Sequence, residues 1–188
     1  MATEEPKYSV LEKETPFELR LYDPMILAEV QVEGDLDEAS NQGFRLIAAY
    51  IFGQNQVSQK IAMTAPVTIE EQGIKSEKIA MTVPVGIESN AGKWTVSFVM
   101  PSQYTMETLA KPLNPLVKLR QVSSVKRAVI VFSGFYNAQK VSEKTQELES
   151  WMKARNLQAN GAPHFARYNP PWSLPFMRRN EVMINVRD

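Results

Sequence analysis

"FELRLYDPMILAEVQVEG", residues 17–34, lies over "VKLRQVSSVKRAVIVFSG", residues 117–134, when the chain is displaced by 100 positions. Leu19, Arg20, Ala28 and Gly34 then meet Leu119, Arg120, Ala128 and Gly134. In the first copy Phe17, Leu19 and Leu21 alternate with charged or polar groups, the period of a half-buried strand. Asp23-Pro24 is a turn signal, and "MILAEVQV" is a second strand closing at Gly34. In both copies the last glycine leads into a segment of helical period.

The first such segment is "DLDEASNQGFRLIAAYIFG", residues 35–53. Asp35 or Asp37 can cap it, Glu38 lies in its first turn and Gly53 can close it. Ser40, Phe44, Ile47, Ala48 and Ile51 share one face, while Leu46 and Tyr50 widen the apolar arc beyond what one core-facing stripe needs. The second helix is expected near 137–157, with Val141, Leu148 and Met152 on one face and Thr145 and Trp151 beside them.

Between the two copies a strand-like octapeptide is written twice. "KIAMTAPV" (60–67) and "KIAMTVPV" (78–85) agree at seven of eight positions and read as a β-hairpin joined by "EEQGIKSE". "KWTVSFVMP" from Lys93 is a further strand, and the proline-rich "SQYTMETLAKPLNP" is the connection between halves. "HFARYN" (164–169) and "EVMINV" (181–186) supply two closing strands. Each half thus reads strand-strand-helix-strand-strand, and the expected fold is α+β with an internal pseudo-duplication.

Composition narrows function. Of 188 residues 44% are apolar, enough for one sizeable core. Lys plus Arg and Asp plus Glu both count 21, so no net field draws nucleic acid. The absence of cysteine removes disulfides, thiol nucleophiles and thiolate metal sites, and suits a reducing compartment. With no signal-like N-terminus and no apolar run near 18 residues, the expectation is a cytoplasmic protein without a membrane span. One histidine, His164, and no GxSxG, GxGxxG or GK[ST] pattern leave hydrolytic and nucleotide chemistry without parts. A hydrolase would need residues such as Glu29 and Tyr136 to converge. Metal-ligand spacing is absent too. Met63 and Met81 pack between strands in one reading and offer a thioether to haem iron in the other. In "ARYNPPWSLPFMRRNEV", residues 166–182, a stiff apolar loop ends in Arg178 and Arg179. It covers a core edge, or it covers an amphipathic ligand whose carboxylates meet the guanidiniums.

The doubled octapeptide, "WTVSFVMPSQYTMETL", "VIVFSG" and "ARYNPPWSLPFMRRNEV" together resemble the SOUL haem-binding protein family, over about residues 8–186, in the style of its bacterial members. The resemblance implies a single domain over 8–187, with halves near 8–105 and 116–187. Its fold would be a distorted antiparallel β-barrel flanked by two helices, as in effector-binding domains of gyrase-inhibitor-like proteins. It also implies reversible, non-catalytic binding of haem or a related tetrapyrrole in a shallow apolar cleft. Carried over, the site comprises Phe44, Arg45, Ile47, Ala48, Tyr50 and Ile51 on the first helix. Facing them would be Trp172, Leu174, Phe176, Arg178 and Arg179 on the loop. Asn41 and Ala49 stand where some members carry basic residues, and the N-terminal half has no histidine, so weak binding without a strong axial ligand is expected. The alternative is a module that takes another hydrophobic effector or a protein partner in the same cleft.

Overall fold

The computed structural model describes residues 4–56, 61, 65–71, 93–169 and 172–187. The order is β1 (Tyr8–Glu14), β2 (Phe17–Tyr22), β3 (Met25–Glu33), α1 (Leu36–Ile51), β4 (Val67–Glu71), β5 (Lys93–Val99), β6 (Lys118–Val122), β7 (Val125–Phe132), α2 (Ala138–Ala154), β8 (His164–Arg167) and β9 (Asn180–Asn185). After β1, the run strand-strand-helix-strand-strand occurs twice. The nine strands form one antiparallel sheet in the order β1-β2-β7-β9-β8-β4-β5-β3-β6, curled into a half-barrel with two helices, an α+β fold.

Alternation assigns each side chain to one of two faces. On the helix face Ala28, Val30, Val32, Val96, Phe98, Ala128, Ile130, Val182 and Ile184 form the core. There α1 lies across β3 and β5, and α2 across β7 and β9. The other face carries Arg20, Tyr22, Arg127, Tyr168, Glu181 and Met183 among its residues.

Local chemistry sets the helices. Asp35 caps α1 by accepting from the amides of Asp37 and Glu38 at 2.9 and 2.8 Å, and Glu38 returns a bond to the Asp35 amide. Gly43 allows α1 to close on β5, because a Cβ there would sit 2.4 Å from Val96 Cγ2. Asn137 caps α2 through Lys140 N at 2.7 Å.

Two features differ from the sequence-based expectation. β1 was not foreseen; it pairs along β2 as a charged, exposed edge with a bulge between Val10 and Glu12. Strand β4 begins only at Val67, straight after Pro66, so it takes the last octapeptide residue and continues through Glu70 and Glu71, the start of the expected connection. The rest of the octapeptide hairpin, Met63 and Met81 included, lies outside the described residues.

Candidate functional site

The loop between β8 and β9 is held by its backbone and shows its side chains to solvent. Residues Pro175–Met177 make one 3-10 turn, Gly134 N donates to Pro175 O at 2.9 Å, and Asn180 Nδ2 donates to Gly134 O at 3.1 Å. Arg178 Nε donates to Ser173 O at 2.8 Å, and its guanidinium lies 5.2 Å from the centre of the Phe135 ring. On this pinned frame Trp172 is 83% exposed, Phe176 73% and Phe135 70%, with Leu174 and Met177 also outward. Soluble surfaces rarely gather so many large apolar groups without a use for them. Phe135 and Met177 were not among the expected site residues. Phe135 lies in the turn after β7, and only tertiary contact brings it beside the flap.

The helix half of the expected site is placed differently. Ile47, Ala48, Tyr50 and Ile51 are buried in the core, and none presents a surface to a planar guest. The reason lies in the wide apolar arc, which two neighbours consume. The sheet takes one side of α1, and the connection after β5 takes another. Leu109, Ala110 and Val117 are buried there, and Tyr50 Oη donates to Ala110 O at 2.7 Å. Phe44 and Arg45 remain exposed, with the Phe44 ring 5.5 Å from that of Phe98. Arg167 bonds both Tyr136 Oη, beside Phe135, and Ser40 Oγ, one turn before Phe44. It links the flap's supporting turn to the first half of α1.

Arg179 departs from its expected role. It turns to the other face, donates to Glu181 Oε1 at 2.9 Å and to Glu5 at 3.0 Å, and stacks 3.9 Å from the Tyr168 ring centre. Burial opposes its charge, but Glu181 outweighs that and holds the guanidinium protonated. It forms part of a buried cluster in which Glu181 also accepts two bonds from Arg20, at 3.0 and 3.1 Å, and one from Tyr168 Oη at 2.8 Å. Of the two arginines expected on the loop, Arg178 alone stays beside the apolar surface.

A tetrapyrrole asks for an apolar plane, a cation for its carboxylates and, for tight iron binding, an axial donor. The flap answers the first two. His164 faces the side of the sheet away from α1 and α2, so no imidazole joins the flap. Among the described residues no group of three or more His, Asp or Glu side chains is placed to hold a metal ion. Glu29 pairs with Arg120 at 3.0 Å on the far face, whereas Tyr136 packs on Phe165, so these two residues do not converge. Among the described residues no helix is long and apolar enough to cross a membrane. A groove of about 390 Å³ runs between the start of α1 and α2, over Trp94, Val141, Phe165 and Val182. A wider hollow of about 520 Å³, near Pro24 and Met106, contains none of the expected site residues.

Comparison with known proteins places this geometry in context. Residues 3–185 match the family model described as SOUL heme-binding protein. The chain is 30% identical to human heme-binding protein 2 over 190 aligned positions, covering 97% of this chain and 86% of that protein. To the mouse heme-binding protein 2 it is 28% identical, covering 89% and 77%. Among solved structures, the EcmrR C-terminal domain superposes with a TM-score of 0.63 at 11% identity, covering 96% of this chain and 98% of that one. A hydrolase from Listeria innocua gives 0.58 at 11%, covering 94% of each. At such identities these two likenesses speak for the fold alone.

Proposed function

Because the chain belongs to the SOUL heme-binding protein family, we propose that it binds haem or a related tetrapyrrole reversibly on the flap of residues 172–178 together with Phe135. It acts on this reading as a non-catalytic carrier or buffer in the cytoplasm, a setting that suits a cysteine-free chain. The observation that carries the reading is the exposure of Trp172, Phe176 and Phe135 on a backbone that is itself pinned. The ring lies against these side chains, and Arg178 meets a carboxylate at its rim. Covering on the order of 300 Å² of apolar surface gives a gross term of roughly 7 kcal/mol. Ordering costs reduce it, so binding is micromolar or weaker. Haem, when bound, brings its own iron chemistry; the chain contributes shape, apolar contact and one cation. With no imidazole at the flap, affinity should depend little on iron.

A second reading rests on the groove between the helices, whose apolar floor suits another hydrophobic effector. The three tryptophans separate the two, since Trp172 lies on the flap, Trp94 in the groove and Trp151 in the core. Hemin and protoporphyrin IX are titrated against the wild type, Trp172→Phe and Trp94→Phe. The flap reading expects Kd values for the two ligands within about threefold, with most fluorescence quenching lost in Trp172→Phe. Quenching that disappears with Trp94 instead selects the groove. No saturable binding of either ligand up to about 50 µM discards the tetrapyrrole reading and favours another effector in the groove.

A further inference from the structure

On the face of the sheet away from the helices, a buried imidazole nitrogen of His164 without a partner and the half-buried guanidinium of Arg127 face one small cavity. His164 is the chain's single histidine and opens β8, directly across the ladder from Glu70 on β4. Its Nδ1 lies 3.3 Å from Glu70 Oε2. Burial first, then the charges of Arg127 and Arg120, push the imidazole down to about 3. The ring is therefore neutral, the Glu70 carboxylate facing Nδ1 favours the proton on that nitrogen, and Nε2 is left as an acceptor. That Nε2 is buried and meets no hydrogen-bond partner among the described residues. Such an atom calls for an explanation.

Arg127 on β7 supplies the complementary half. Its Nε donates to Asn185 Oδ1 at 2.9 Å and its guanidinium stacks 4.9 Å from the Tyr22 ring centre. No ion pair or further hydrogen bond engages its two Nη groups among the described residues. The neighbouring Arg120 differs, being committed to Glu29 at 3.0–3.1 Å. Arg127 and His164 line the same cavity of about 70 Å³, whose wall also carries Thr68, Thr95 and Ser97. That volume holds about two waters, or one small molecule.

We propose that this cavity binds a small oxyanion that keeps one acidic O–H, of the hydrogencarbonate kind. The O–H donates to His164 Nε2, and the charged oxygens accept from the Nη groups of Arg127. The requirement for both a donor and an anionic acceptor separates this site from a general anion hole. It also lies across the sheet from the flap and is independent of what the flap binds.

The single imidazole makes the test direct. In ¹⁵N-labelled full-length protein, the His164 ring nitrogens are followed at constant pH and ionic strength while bicarbonate is added. The expected result is a saturable shift of Nε2 with a millimolar midpoint. Nitrate matches bicarbonate in planar shape and charge but has no O–H, and should act at least about tenfold more weakly. Arg127→Gln should lose the bicarbonate response while keeping the wild-type circular dichroism. The proposal is overturned by no shift up to about 50 mM, which leaves the cavity to water. It is equally overturned by nitrate matching bicarbonate, or by a folded Arg127→Gln that responds like the wild type. Should that variant not fold, the comparison of the two anions on the wild type decides alone.

Discussion

Replacing Trp172 by alanine separates binding from folding, because the indole is 83% exposed and buries little when the chain folds. The stability change should stay within about 0.5 kcal/mol, as for other surface substitutions. Binding is another matter. A planar ring resting on one indole face removes on the order of 80–100 Å² of apolar surface from water, a gross term of about 2–2.5 kcal/mol. Roughly half of that survives the cost of fixing the side chain and ring. The expected loss is then about 1–1.5 kcal/mol, close to a tenfold rise in Kd. Hemin and protoporphyrin IX absorbance titrations read this without relying on the deleted fluorophore, and urea unfolding of both proteins provides the stability control. A Kd unchanged within about twofold, in a variant as stable as the wild type, would refute the placement of the ring on the flap.

Three further outcomes test the frame behind that surface. Gly43→Ala should destabilise by about 1–3 kcal/mol despite alanine's better helix propensity, since its Cβ would collide with Val96. Adding Val96→Ala should recover part of that loss, measured by urea unfolding as a double-mutant cycle. Glu181→Gln should cost about 3–5 kcal/mol, because buried Arg20 and half-buried Arg179 lose their shared carboxylate; a loss below about 1 kcal/mol would show that the cluster tolerates neutralisation. His164, held down to about 3, should remain neutral by NMR across pH 5–8. Its folded value lies below its unfolded one, so its contribution to stability is present above pH ~6.5 and is lost as pH falls toward 3, visible as a drop in unfolding midpoint on acidification.

Much of the framework was legible because its signals are local. Alternation in residues 17–22 and 93–99 gave β2 and β5, and the cap candidates Asp35 and Asp37 before Glu38 gave the start of α1. β1 was missed because an edge strand exposed along most of its length, with Val10 and Leu11 adjacent and a bulge at Leu11, shows no period of two. The flap was found as a stiff apolar stretch of sequence. The helix half of the site misled for a physical reason: an apolar arc wider than one stripe fits a ligand or a second packing partner equally well. The bond from Tyr50 to Ala110 shows that the partner is the long connection after β5, 60 positions away in sequence. Arg179 was similarly indistinguishable from Arg178 until the sheet placed Glu181 under it.

The two outermost strands have a bearing on solubility. A chain with equal numbers of positive and negative residues has no overall charge to keep its copies apart. Protection against edge-to-edge association then falls to local devices: Glu12, Lys13 and Glu14 with the bulge on β1, and Lys118 and Arg120 on β6. β1 is also tied by Arg155 to Glu12 and Glu14, and its Tyr8 ring lies 4.4 Å from the Arg20 guanidinium. Trimming the chain at Pro16 would uncover β2 as a fresh hydrogen-bonding rim and strip a neighbour from the Arg20 cluster. Such a shortened protein should gather into aggregates at concentrations where the longer one stays dispersed.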